Sequence, residues 1–409
     1  MKISSFFPAL QISTMSIMER TNLTHLNITS TQTFLPSVQL MDLLEFFFKN
    51  IYLLLLVIIG FIGNGFVIII FGQRALRSAI GTNMSVYPFL FYMAISDTIY
   101  LSILFCLWLS NYINILHRSG ICQLTLYLTY VCNFINAYYT IAFTAQRLCA
   151  VIRPFRVSHV LSWYRSKCLA LIIVFIACLI YSYIPFFVGI VRGFCYSKDE
   201  TRWINELMDI IDCIIVFLVP YICIITMNTI ILITLKRMKQ TQHVLLFQNH
   251  SQLNTIRELT RRNASRKMTK LLLTVSTSYL IICAPYACIH TWRLIFVQNR
   301  MPTKFLKQLE YYFHLIYHIS FAMNFYIYIA FGSKFRRDLR RFLNKCKRNF
   351  SICFQHQNIY EEDESTTDQN NSSNIEQFQL INSLTPCSTI IIENGLGYKY
   401  KWRNSKGIY

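Results

Sequence analysis

Five polar side chains stand where the surrounding sequence is almost wholly apolar: Asn64, Asp97, Asn136, Ser320 and Asn324. A carboxylate among amides and a hydroxyl offers hard oxygen ligands, the set that holds a small cation such as Na⁺. The same groups can instead form a hydrogen-bonded node that fixes helix packing; both readings stay open at this stage. Arg147, between Gln146 and Leu148, closes another apolar stretch, where it can reach headgroups or meet a partner. Glu206, Asp209 and Asp212 recur every three residues, a spacing that lays them along one helical face. A solvated acidic face accounts for Glu206, whereas Asp212, eight residues before Pro220, calls for a recess that accepts a cationic ligand group. His314 and His318 have the i, i+4 spacing of metal ligands. Two histidines do not complete a catalytic metal site, so they read as polar groups lining a cavity with Tyr311, Tyr317, Tyr286 and His290, and no metal is expected.

These residues lie on seven apolar stretches, at 46–71, 84–109, 121–149, 168–191, 207–235, 268–296 and 311–331. Each exceeds the ~20 residues that a helix needs to cross hydrocarbon. The 409-residue chain is 54% hydrophobic and only 14% charged, too apolar for a soluble protein of this size. Its net charge of +20 is unevenly placed. Residues 72–83, 150–167, 236–270 and 332–348, which follow stretches one, three, five and seven, hold twenty-three Lys and Arg, opposed only by Glu258 and Asp338. Positive residues mark the cytoplasmic side, so the N-terminus is expected outside and the C-terminus inside. The charge therefore reads as membrane orientation, and nucleic acid is excluded as a partner. The predicted organisation is an extracellular segment over residues 1–45, a seven-helix bundle over 46–331, an amphipathic helix on the inner leaflet over 332–346, and a disordered cytoplasmic tail over 347–409.

Fourteen cysteines would suggest a disulfide framework, but most lie within the spans, where Cys behaves as a small apolar residue. Cys122 and Cys195 fall on the outer, oxidising side and are the expected disulfide. Asn22 and Asn27 begin glycosylation triplets on that side. Cys346 and Cys353 follow a basic stretch and are candidates for palmitoylation, with plain cytosolic thiols the equal alternative. Pro88, Pro185, Pro220 and Pro285 interrupt four spans and are expected to kink them.

With these residues in order, the chain resembles the rhodopsin-like (class A) G-protein-coupled receptors over roughly Tyr52 to Cys346. The resemblance rests on Gly63-Asn64 with Val67, on Met93 to Asp97, and on Cys122 with Arg147. It rests also on Pro185, Pro220 and Pro285, and on Asn324 to Tyr328 followed by Phe335-Arg336. It implies an all-α bundle of seven transmembrane helices with a short amphipathic eighth. Several positions depart from the family pattern. Gln146 stands where an acid usually precedes the Arg, Phe175 for the Trp of helix four, and Cys283 for the toggle aromatic of helix six. Asn228 replaces a helix-five Tyr that meets the Arg, and Phe325 replaces the seventh-helix Pro. An Asn-Phe pair is similar to that of several peptide-receptor branches, including invertebrate FMRFamide-like receptors. His318 aligns with the retinal Lys of opsins and Thr129 with the amine-binding Asp, so neither a pigment nor a monoamine receptor is implied.

The resemblance thus implies a plasma-membrane receptor for an extracellular peptide, bound near Thr129, Asp209, Asp212, Tyr286, His290, His314 and His318. Gln146, Arg147, Asn228 and Tyr328 would form the switch toward a heterotrimeric G protein, with arrestin and receptor kinases as further partners. No cofactor is implied, Na⁺ in the core excepted. Two other classes compete. A secondary transporter would show paired repeats or paired broken helices, and the halves of this chain do not resemble each other. A membrane enzyme of the His-box kind would need more histidines near carboxylates. Solute flux and bound metal are the observations that separate these classes from a receptor.

Overall fold

The computed structural model describes residues 43, 46–80, 87–110, 112–113, 118, 120–152, 163–191, 194–197, 202–248, 253–296 and 304–367. The segment around Asn22 and Asn27 lies outside these residues. Among the described residues, eight helices follow in chain order. A π-helical turn, Phe47–Tyr52, leads into α1, Leu53–Ile80. Then come α2, Tyr87–Leu109, and α3, Ile121–Ile152. The fourth, α4, runs over Trp163–Ile180 and continues through a 3₁₀ turn, Tyr181–Tyr183, into Ile184–Phe187. A hairpin of β1, Val188–Val191, and β2, Phe194–Ser197, precedes α5. That helix comprises Arg202–Asp212, a π-helical stretch Cys213–Leu218, and Val219–Gln248. The sixth, α6, spans Leu253–Phe296. The seventh, α7, is Lys304–His318, a 3₁₀ turn Ile319–Phe321, and Asn324–Phe331. Last is α8, Ser333–Thr367. The bundle through Arg336 forms one compact unit and the residues from Arg337 a second.

Among the described residues, five helices are long and apolar enough to cross a membrane by length and composition alone, at Asn50–Gln73, Tyr87–Leu109, Tyr164–Phe187, Leu207–Met238 and Arg266–Phe296. The other two bundle helices carry more of the polar side chains. On α3 these include Asn133, Asn136, Gln146 and Arg147, all buried, and on α7 Glu310, His314, His318, Ser320 and Asn324, also buried. With Asn64, Asp97 and Asp212 buried too and leucine, isoleucine and phenylalanine exposed around the outside, the protein is inside-out in the sense that lipid demands. The result is an all-α seven-helix membrane bundle, as the sequence pattern predicts.

Proline accounts for two of the four irregular turns among the described residues. Pro220 lacks an N–H and its ring crowds the carbonyl one turn earlier, and the wide π stretch Cys213–Leu218 sits directly before it. Pro185 likewise follows the 3₁₀ turn Tyr181–Tyr183. Pro285 lies within continuous α6. The break in α7 has no proline; Phe325 occupies the family's proline position, and the turn is held from α1. Asn64 Nδ2 donates to Phe321 O at 2.9 Å, satisfying a carbonyl that the break would leave bare.

Two glycines on one face of α1 let α7 come this close. A Cβ on Gly60 would sit 2.5 Å from Leu101 Cδ1 and 3.1 Å from Ala322 Cβ, and one on Gly63 would sit 3.0 Å from Phe325 Cβ. At the other end, Gly120 has φ +90°, and its N–H is taken by Gln123 Oε1, closing the first turn of α3. Gln123 Nε2 also donates to Val188 O at 3.3 Å, tying α3 to the hairpin, whose register pairs Ile190 with Cys195.

Two boundaries move. The expected fourth span ended at Val191, but Val188–Val191 is strand. The expected amphipathic helix ended at 346, but α8 is continuous to Thr367, with no Gly or Pro to stop it. Residues 347–367, expected to lack structure, are helical, and the expected tail beyond Thr367 lies outside the described residues.

Gly60→Val is expected to lower stability by about 1–3 kcal/mol through overpacking between α1, α2 and α7. Gly65→Val, where nothing lies within 4 Å of the new Cβ, serves as its control. Thermal unfolding of the detergent-solubilised protein reads both; equal midpoints would contradict the packing argument.

Candidate functional site

The centre of the bundle is organised by Asp97 on α2, which is fully buried. Its Oδ1 accepts from Asn136 Nδ2 of α3 at 3.2 Å, and its Oδ2 accepts from Asn324 Nδ2 of α7 at 2.8 Å. Three helices thus share one carboxylate. Four of the five polar residues read from the sequence meet around this point. Ser320, Asn136 and Asn324 also line a cavity of about 10 Å³, room for a single water or small ion. Asn136 Oδ1 is buried there without a hydrogen-bond partner. Asn64 does not join Asp97; it reaches instead the Phe321 carbonyl, next in sequence to Ser320.

A second, larger polar group lies toward the hairpin end. Tyr286 on α6 is fully buried, its ring 5.3 Å from His290, 4.7 Å from His314 and 5.3 Å from Tyr317. The rings of His314 and His318 stand 4.3 Å apart, and Tyr100 OH meets His318 Nδ1 at 3.0 Å. Tyr317 OH donates to Asn133 Oδ1 at 3.0 Å. On the α5 side, Tyr130 OH donates to Asp209 Oδ1 at 3.2 Å and Tyr181 OH donates to Asp212 Oδ1. Thr129 is buried but bonds back to Thr125 O at 2.8 Å within its own helix. Glu206 has no described side chain. Cys122, at the first turn of α3, is fully buried and disulfide-bonded. Cys195 lies on β2 with its side chain outside the described residues.

At the opposite end, Arg147 is buried, and its Nε has no hydrogen-bond partner. Gln146 turns away from it, donating from Nε2 to Ser166 Oγ on α4 at 2.7 Å. Asn228 on α5 faces α6, accepting from Ser276 Oγ at 3.0 Å and donating to Thr277 Oγ1 at 3.5 Å. Tyr328 packs on Phe71 of α1 at 5.2 Å and on Phe335 of α8 at 5.6 Å.

The profile of the 7 transmembrane receptor (rhodopsin family) matches residues 63–328, which span the bundle from Gly63 to Tyr328. The chain belongs to this receptor family. Comparison with curated proteins finds no match. The receptor is a multi-pass membrane protein whose family takes an extracellular ligand and a G protein as partners, and nothing in the fold favours a transporter.

Family departures acquire physical content in the receptor. Phe325 stacks on Phe66 at 5.6 Å and lies against Gly63, so the bulk that replaces proline fills space that α1 leaves open. Gln146 and Asn228 exchange an ion pair and a phenol for neutral hydrogen bonds to α4 and α6.

Sequence reasoning missed a buried charge cluster between α6 and α7. Glu310 Oε1 lies 3.1 Å from His290 Nδ1 and 3.0 Å from Arg293 Nε. Glu310 falls one residue before the seventh apolar stretch as read from the sequence, so it was counted with the loop. Its three-residue offset from Lys307 and four-residue offset to His314 would have placed it on the helix. Tyr130 and Tyr181, the partners of the α5 acids, carried no signal in an aromatic-rich sequence.

Asn324→Ala is expected to cost about 1–3 kcal/mol, because Asp97 Oδ2 would be left buried without its donor. Thr229→Ala, an exposed side chain bonded only to its own helix, should stay within about 0.5 kcal/mol. Thermal unfolding of the purified receptor distinguishes them, and equal shifts would remove Asp97 from its structural role.

Proposed function

We propose that this receptor binds an extracellular peptide at the hairpin end of the bundle and relays that binding to a heterotrimeric G protein at the Arg147 end. The observation that carries the reading is the pair of polar groups at opposite ends of one bundle. The buried aromatic and histidine cluster of Tyr286, His290, His314 and His318 is wide, and it is flanked by acids on α5 and α7, which suits a ligand larger than an amine. Arg147, buried without an acidic neighbour in the preceding position, is the group placed to meet a cytosolic partner.

In this reading ligand and G protein bias the same helix-bundle equilibrium, each favouring the state that receives the other. The Asn228 bonds to Ser276 and Thr277 hold α5 to α6 in one of these states. Arrestin and receptor kinases would meet the Ser- and Thr-bearing tail. The basic segments place the Arg147 end in the cytoplasm of the plasma membrane and the N-terminus, with glycans on Asn22 and Asn27, outside. Cys195, on the hairpin strand beside β1, is the partner we assign to Cys122. Cys346 is exposed and, with Cys353, follows the basic run that suits a lipid anchor. Asn136 and Ser320 line a space of one-ion size, and Asp97 bonds two of its lining residues, Asn136 and Asn324, so this core is where we would put a Na⁺.

Screening a neuropeptide library on cells that express the receptor, with calcium and cyclic-AMP readouts, is expected to yield a saturable response. Arg147→Ala should abolish that response while surface expression and peptide binding persist. A response carried by amines alone would overturn the peptide assignment, and silence in both readouts with the receptor at the surface would overturn the coupling.

A further inference from the structure

The two acids on α5 are enclosed by tyrosines from two other helices. Tyr130 of α3 and Tyr181 of the turn ending α4 lie 5.4 Å apart, ring to ring, and each donates its hydroxyl to one acid. Tyr183, from the same turn, is within electrostatic range of both Asp209 and Asp212, and Tyr286 of α6 is within range of Asp212. Asp212 is 4% exposed, and while its Oδ1 takes the Tyr181 hydroxyl, its Oδ2 accepts no hydrogen bond.

A buried carboxylate with an empty oxygen carries a large desolvation cost that a native structure offsets with a partner. Among the described residues no Lys, Arg or His pairs with Asp212. Arg293 is bound to Glu310 at 3.0 Å, and His290 shares that same acid. Asp209 lies three residues away on the same face, so its negative charge adds to the need for a cation rather than relieving it. The surrounding ring faces meet the second requirement of cation recognition, since tyrosine faces attract a cation and stack on a planar one. A guanidinium matches both features, presenting parallel N–H groups to a carboxylate while lying flat against aromatic rings.

We propose that Asp212, with Asp209, Tyr130 and Tyr181, receives a single guanidinium group of the ligand. This rests on the bundle being a peptide-binding site and adds that the peptide carries an arginine. Asp212 Oδ2 accepts the guanidinium N–H groups, the tyrosines flank its plane, and Asp209 supplies the second charge nearer the hairpin. Where the ligand lacks such a group, Asp212 Oδ2 gains no donor and binding weakens.

The test uses full-length purified receptor and two probes that differ only at the side-chain terminus, Nα-acetyl-arginine amide with its charged guanidinium and Nα-acetyl-citrulline amide with a neutral urea. The arginine probe is expected to raise the thermal unfolding midpoint saturably, and the citrulline probe to leave it unchanged. Asp212→Asn should raise the half-saturating concentration at least about tenfold, as loss of a buried charge partner does, while Asp212→Glu retains the response. If Asp212→Asn does not fold, Asp209→Asn is read instead, with an increase of about threefold expected for a partly exposed charge. Equal shifts from both probes, no saturable shift from the arginine probe, or an unchanged response in the variant read would each overturn the recess. The assay needs neither the natural ligand nor a G protein. Probe binding with a failed peptide screen would therefore keep the recess and remove the peptide assignment, and the reverse pattern would do the opposite.

Discussion

Hydrocarbon offers no hydrogen bonds, and this single constraint orders the bundle. Every polar group placed at membrane depth must find its partner within the protein. Asp97 is where that demand is greatest, because it brings a carboxylate to the middle of the bundle. Its two oxygens draw an amide from α3 and an amide from α7, so the three helices cannot separate without baring a charge-bearing group. The break in α7 follows the same rule. Its free carbonyl at Phe321 is met by Asn64, and the approach that lets Asn64 reach it depends on Gly60 and Gly63.

Away from the centre the polar groups fall into two sets with different characters. Those at the hairpin end are aromatic, acidic and imidazole side chains crowded against one another, with one acid, Glu310, beside Arg293 and His290 and another, Asp212, with one oxygen unpartnered. Those at the Arg147 end are neutral bonds between neighbouring helices, Gln146 to Ser166 and Asn228 to Ser276 and Thr277. Neutral hydrogen bonds of this kind are each worth about 1 kcal/mol net. Contacts this modest hold an arrangement without preventing its exchange for another, which is the energetic scale on which a receptor must work.

Much of this molecule was legible in its residues. Seven spans, their order, the interior cluster of Asp97, Asn136, Ser320 and Asn324, and the family itself were all read from apolar runs and the polar exceptions within them. The strand Val188–Val191 and the length of α8 depart from the expectations drawn for those segments. Those two errors share a cause. Apolar composition alone does not separate a strand from the end of a helix, and a polar, breaker-free segment can remain helical when its charge pattern suggests a tail.

What the sequence by itself determined is what depends on neighbours along the chain: which segments are apolar enough to span, which side carries positive charge, and which residues share a helical face. Asp209 and Asp212 are a pair for that reason, three residues apart on one turn. Tertiary structure alone decided which groups meet. Asp97 and Asn324 are separated by 227 residues, Asn64 and Phe321 by 257, and Asp212 and Tyr181 by 31. No local pattern encodes such pairings, because each depends on how whole helices pack and turn toward one another. The difference between Glu310, bound to a histidine and an arginine, and Asp212, with one oxygen empty, arises only at that level.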